Sequence, residues 1–194
     1  MGKAILFSAP SGCGKTTIIK ELMAGAPTER FNPCHLAFSI SATSRAPRGE
    51  EQEGRDYYFL SHEEFMRRVE AGDFLEWEEV YSGTCYGTLK SEVQRLWDDG
   101  RVIVFDVDVN GGRNLKQYFG DRALSIFVMP PSIEVLEQRL RTRGTDSEES
   151  IAKRLGRSAE ELKQAPSFDV TIVNDDLRCA VDETRRAVEA FLDE

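Results

Sequence analysis

The feature that most constrains this chain is a glycine-rich turn set between an apolar strand and a helix. Residues 4–9 read AILFSA. The loop Ala9, Pro10, Ser11, Gly12, Cys13, Gly14, Lys15, Thr16 and Thr17 follows, and then the helical stretch Thr16 to Met23. The loop fits the pattern G-x-x-x-x-G-K-[ST], with Ala9 standing at the first glycine. Gly12 and Gly14 let the backbone curl so that successive N–H groups converge on phosphate oxygens, and the helix adds the positive end of its dipole. Lys15 is expected to reach the β- and γ-phosphates of a nucleotide, and the Thr16 hydroxyl to ligate Mg²⁺. Cys13 reads as a small, tolerated side chain within the loop. Such a loop does not name an acceptor, because GTPases, ATPases and nucleoside monophosphate kinases share it.

The remaining pattern alternates strands with helices. Strands are predicted at Ala4 to Phe7, Leu36 to Ile40, Val102 to Val107, Ala123 to Met129 and Val170 to Val173. YYFL and FLEWEEV read as strands around a short helix that Ser61 and Glu64 open as a capping box. Pro130 and Pro131 stop one strand before a helix from Ile133 to Arg141, and Thr145 with Glu148 opens another through about Leu162. A closing helix is expected to bury Leu177, Ala180, Val181, Thr184, Val188 and Phe191. Alternation of this kind implies an α/β fold with a doubly wound parallel sheet. Residues about 38–90 and the arginine-rich helices around 139–157 break the alternation and are expected to handle substrate.

Composition narrows the partners. At 194 residues, with 40% apolar and 30% charged residues, the chain has the size and balance of one globular domain. A net charge of −9 argues against broad nucleic-acid binding. No stretch approaches the length of an uncharged membrane span, and the first strand does not resemble a signal peptide, so a cytoplasmic protein is expected. Cys13, Cys34, Cys85 and Cys179 lack the spacing of a metal site or a disulfide frame. His35 and His62, the only histidines, read as surface or packing residues.

Residues Ser39 to Tyr58 read SISATSRAPRGEEQEGRDYY, in which Arg45 and Arg48 flank a proline and make a double phosphate clamp beside the Tyr57 phenol. Taken with Phe74-Leu-Glu-Trp77, Tyr86-Gly-Thr88, Val104-Phe-Asp-Val-Asp108 before Val109-Asn-Gly111, Arg139-Leu with Arg143-Gly144, Lys153-Arg154-Leu155 and Val173-Asn174-Asp175, the chain closely resembles the guanylate kinases along nearly its whole length.

The resemblance implies a P-loop core of about residues 1–37, 91–138 and 165–194, an inserted mixed α/β GMP-binding region of about 38–90, and a helical lid of about 139–164. It implies transfer of the γ-phosphoryl group of MgATP to GMP, with dGMP as a further acceptor. Ser41, Arg45, Arg48, Tyr57 and Tyr86 would hold the GMP phosphate, with Glu51 orienting Arg48. Glu76 and Asp108 would accept from guanine N1–H and the 2-amino group, and Thr88 would donate to O6. Lys15, Arg45, Arg139, Arg143 and Arg154 would serve catalysis, Asn174 would lie near the adenine or cap the last helix, and Asp106 would hold Mg²⁺ through water. Two rival readings stand beside this one: a non-catalytic module that binds phosphorylated peptides on the same surface, and another P-loop kinase or ATPase. Oligomeric state is not legible in the sequence.

Overall fold

The computed structural model describes residues 2–29, 31–81, 83–142 and 148–194. Its centre is a five-stranded, wholly parallel sheet. The strands are β1 (Ala4–Ser8), β2 (Leu36–Phe38), β7 (Val102–Val107), β8 (Ala123–Met129) and β9 (Val170–Val173), in the order β2-β7-β1-β8-β9. β1 is central and buried along its length, which is why its sequence is continuously apolar rather than alternating.

Helices cover both faces. On one, α1 (Lys15–Ala24) and α7 (Leu177–Asp193) pack Ile18, Ile19, Leu22, Val188 and Phe191 against Ile5, Phe7 and Val104. On the other, α3 (Lys90–Asp98) and α4 (Val109–Phe119) press Val93, Leu96, Leu115 and Phe119 against Leu6, Ile103 and Phe105. The core is thus doubly wound, as the alternation implies. α3 and α4 are not predicted by the sequence reading: α3 has no side-chain N-cap, and α4 carries two glycines in its first turn.

A second, four-stranded sheet holds β3 (Ala42–Thr43), β4 (Tyr58–Phe59), β5 (Phe74–Tyr81) and β6 (Thr84–Leu89) in the order β4-β3-β6-β5. Helix α2 (His62–Glu70) closes its back, with Phe65 stacked on Phe74 at 4.5 Å between ring centroids. The chain passes between the sheets near residue 40 and again near residue 90. Both crossings meet the buried carboxylate of Glu92, which accepts from Ile40 N–H (3.3 Å), from Tyr58 O–H (2.9 Å) and from Arg95. Helices α5 (Ile133–Thr142) and α6 (Glu148–Leu162) lie between β8 and β9 in sequence.

Several expectations need correction. β2 ends at Phe38 rather than Ile40, because the Ile40 amide turns to Glu92. Only half of the first capping box forms: Ser61 Oγ accepts from Glu64 N–H, while the Glu64 carboxylate grips Arg67 and Arg68. Leu177 is 39% exposed instead of buried with the rest of its helix face. Thr145, the cap proposed for α6, lies outside the described residues. No helix among the described residues is long and apolar enough to cross a membrane.

Candidate active site

The carboxyl ends of the parallel strands open into a cleft of about 630 Å³ that the second sheet and α6 wall on two sides. Ligands of open α/β sheets bind at this edge. The loop from Ala9 to Thr17 forms its floor. Gly12 and Gly14 have φ of 95° and 86°, a left-handed backbone that glycine alone adopts without strain. At Gly14 a Cβ would also stand 2.3 Å from Asn174 Nδ2. Ala9 is buried and its φ is negative, so the methyl group that replaces the first glycine of the pattern meets no backbone penalty. Gly14 provides α1 with no side-chain cap, which leaves the first amides of the helix for a ligand.

Side chains brace this loop from behind. Asn174, buried at the end of β9, donates from Nδ2 to the Cys13 carbonyl at 2.7 Å. It does not cap α7; Asp176 does, accepting from Cys179 N–H. Arg139 donates to the Asn174 carbonyl at 2.9 Å, and its Nη1, also buried, has no acceptor among the described residues. Burial pushes the Cys13 thiol up to about 12, only partly offset by Arg139, so it stays protonated and unreactive at neutral pH. Lys15 Nζ reaches Asp106 Oδ1 and the Val107 carbonyl, each at 2.6 Å. Thr16 Oγ1 donates to the other Asp106 oxygen at 2.8 Å. Two hard oxygen ligands beside a phosphate loop, with a cation already drawn to one of them, fit Mg²⁺.

The opposite wall comes from the second sheet. Arg45 forms a bidentate pair with Glu51 (2.6 and 2.8 Å), donates from Nε to Tyr86 Oη (3.1 Å), and lies 4.9 Å from the Tyr57 ring centroid. Glu51 therefore orients Arg45, not the guanidinium of Arg48; from Arg48 it accepts only the backbone N–H, at 2.8 Å. The reason is the turn: Glu51 N–H closes it on the Arg48 carbonyl at 3.1 Å, while Arg48 itself is exposed. The Arg45 hydrogen bonds, and then the Arg48 amide, hold the Glu51 carboxyl down at about 2.

Deeper in the same wall, Thr88 Oγ1 donates to Glu76 Oε1 at 2.7 Å. Burial raises the Glu76 pKa against that hydrogen bond. Asp108 Oδ1 accepts from Gly111 N–H at 2.8 Å and caps α4. On the lid side, Arg154 Nη1 donates to Ser11 Oγ at 2.9 Å, and one turn later Arg157 stands 3.7 Å from Asp108 Oδ2.

The cleft thus gathers the phosphate loop, Ser41, Tyr57, Glu76, Tyr86, Asp106, Asp108, Arg139 and Arg154. Arg45, Thr88 and Asn174 stand behind its wall as partners of residues that line it, and Glu51 stands behind Arg45. Arg48 is exposed and outside it, and Arg143 lies outside the described residues. Sequence reasoning misses Glu78, Arg157, Ser158 and Glu161, which also line the cleft. Their spacing carried a signal: Glu78 shares a strand face with Glu76, and 154, 157, 158 and 161 share a helix face.

A family model described as guanylate kinase matches residues 1–191. A guanylate kinase of Porphyromonas gingivalis is 54% identical, covering 99% of each chain, and one of Bacteroides thetaiotaomicron is 54% identical, covering 98% of this chain and 90% of its own. The crystal structure of guanylate kinase from Anaplasma phagocytophilum superposes with a TM-score of 0.72 at 29% identity, covering 97% of this chain and 85% of that one.

Proposed function

The chain belongs to the guanylate kinase family, and from that premise we propose which of its residues carry a phosphoryl group from ATP to GMP. It is an ATP-dependent nucleoside monophosphate kinase: the bond from the γ-phosphorus of ATP to ADP breaks, and one to a GMP phosphate oxygen forms, giving ADP and GDP. The observation that carries the assignment of sites is the polarity of one cleft. The phosphate loop lines one part of it, and Glu76 and Asp108 another, with the Thr88 hydroxyl behind Glu76. Guanine offers N1–H and a 2-amino group beside the O6 acceptor. Adenine would leave buried carboxylates unpaired, and that cost rejects AMP.

Residues 1–37, 91–138 and 165–194 act as the core, 38–90 hold GMP, and 139–164 close over both nucleotides. The loop amides and Lys15 take the donor phosphates. Arg139 and Arg154 neutralise charge on the moving group, supported by the Nη1 of Arg139, which has no acceptor among the described residues. Arg143 joins them in this reading. Arg45, fixed by Glu51, holds the GMP phosphate with Ser41, Tyr57 and Tyr86, and Arg48 joins from the exposed turn. Asn174 acts on ATP through the loop it braces. Thr16 would hold Mg²⁺ directly and Asp106 through water, the ion supplying further neutralisation of the donor phosphates. A phosphate monoester is already a nucleophilic anion, so the chain provides positioning and charge rather than a base. The substrates are metabolites of the cytoplasm, which is where the enzyme works.

The test is ADP release from MgATP with GMP, AMP, CMP, UMP or dTMP as acceptor. Turnover with GMP alone is expected. Preference for another nucleotide would overturn the roles of Glu76, Thr88 and Asp108, and absence of turnover with every acceptor would overturn the catalytic reading.

A further inference from the structure

Strand β5 reads FLEWEEVY, and Glu76 and Glu78 share one face of it. Opposite them on β6 stand Thr88 and Tyr86. Both glutamates line the cleft, but Glu78 is tied to the start of α4. Asn110 Nδ2 donates to Glu78 Oε1 at 3.0 Å. The carboxyl of Asp108, the cap of α4, is its other hydrogen-bonding neighbour. Glu78 Oε2 is closed to solvent and has no donor among the described residues.

Two ionised carboxylates offer each other only acceptors, so this contact is a hydrogen bond only when one of them keeps a proton. The donors around the pair fall unevenly. Asp108 Oδ1 accepts from Gly111 N–H at 2.8 Å, at the positive end of α4, and Arg157 stands 3.7 Å from Oδ2. Among the described residues, Asn110 is the one donor to Glu78. The proton therefore sits on Glu78. The contact with Asp108, and then burial, raise its carboxyl to about 7. In that form Glu78 is a donor, and Asp108 keeps its lone pairs for the base.

We infer, on the placement of GMP proposed above, that Glu78 is a positioning residue for the acceptor base: its protonated carboxyl donates to Asp108 and holds that carboxylate turned to the donor edge of guanine. When Glu78 loses its proton, the donor is gone and a second negative charge stands beside Asp108. GMP binding then weakens as pH rises, while phosphoryl transfer, at the other end of the nucleotide, keeps its rate.

The test measures KM and kcat for GMP at saturating MgATP from pH 6 to pH 8.5, in the parent, Glu78→Gln and Glu78→Ala. Glutamine carries a donor at every pH: its amide N–H replaces the O–H, and its oxygen still accepts from Asn110. The groups that face Glu78 are Glu76 of β5, Tyr86 of β6, Asp108 of α4, and Arg157 and Glu161 of α6. The parent and the glutamine variant share all of them, and share the titration of the GMP phosphate at about pH 6. The ratio of their KM values therefore isolates Glu78.

That ratio, parent over Glu78→Gln, is expected to climb about ten-fold across the range, the size of a hydrogen bond to a charged group. In both, kcat is expected to change less than about two-fold. Glu78→Ala, which leaves Asp108 undirected, is expected to show the raised KM at every pH. A ratio that stays level would overturn the inference, as would an alanine variant whose KM matches that of the glutamine variant. Calorimetry at pH 8, in two buffers of different ionisation heat, is expected to show GMP binding taking up a proton in the parent that Glu78→Gln does not take up. Equal uptake in the two would overturn the inference as well. If Glu78→Ala fails to fold, the ratio and the proton uptake decide. No turnover with GMP at any pH would remove the placement of GMP, and the inference with it.

Discussion

Glu51 grips Arg45 with both oxygens, so the planar fork of the guanidinium is held at the acceptor wall before any substrate arrives. Glu51→Gln is expected to raise the KM for GMP about ten-fold with a smaller change in kcat, read from steady-state kinetics. With its pKa lowered to about 2, Glu51 contributes fully above its ordinary value of 4.5, and the contribution fades only as pH falls below that. Glu78 has the opposite sign. Its carboxyl is raised from 4.5 to about 7, so the folded state holds that proton more tightly than the unfolded chain, and stability drains away as pH climbs between those values. Glu78→Gln is therefore expected to unfold at a higher temperature than the parent at pH 8 and at nearly the same temperature at pH 4.5. Asn174 offers a third test. Replacing it by alanine orphans the Cys13 carbonyl and is expected to cost about 1–3 kcal/mol in urea unfolding.

Helix α6 shows what one face of an element can join. Arg154 meets Ser11 of the phosphate loop, and Arg157, a turn further on, meets Asp108 of the acceptor wall. A helix that touches both halves of the cleft is placed to couple binding at one to binding at the other. Arg157→Ala is expected to leave GMP affinity alone nearly unchanged while cutting the gain in that affinity caused by a non-hydrolysable ATP analogue, measured by calorimetry. An unchanged gain would disprove the coupling. Elements also mark where the sequence was legible. The strands of the core showed as β-branched or apolar runs, and Val102–Val107, Ala123–Met129 and Val170–Val173 match their predicted bounds. α4 was hidden because Gly111 and Gly112 dilute its pattern; Gly112 is needed there, since a Cβ would strike Ser8 Oγ at 2.2 Å. The partner of Glu51 was hidden for a different reason: Arg48 is three residues away and Arg45 six, so nearness in sequence favours the wrong one, and only the fold of the turn decides between them.

For the whole molecule, a parallel core, a second sheet and a pair of helices surround one cleft, and catalysis needs that cleft sealed from water. Residues 38–90 and 148–157 are expected to gain hydrogen-exchange protection when GMP and a non-hydrolysable ATP analogue bind together, whereas β1 and β8 change little. Equal protection with and without ligands would disprove closure. The two crossings between the sheets give such a movement its geometry. Both strands of chain that leave and re-enter the core are fastened to a single carboxylate, Glu92, which also takes the phenol of Tyr58 from the far sheet. With both crossings tied there, and β5 also held to α4 through Asn110 and Glu78, the near edge of the acceptor wall is expected to move less than its far edge when the cleft closes.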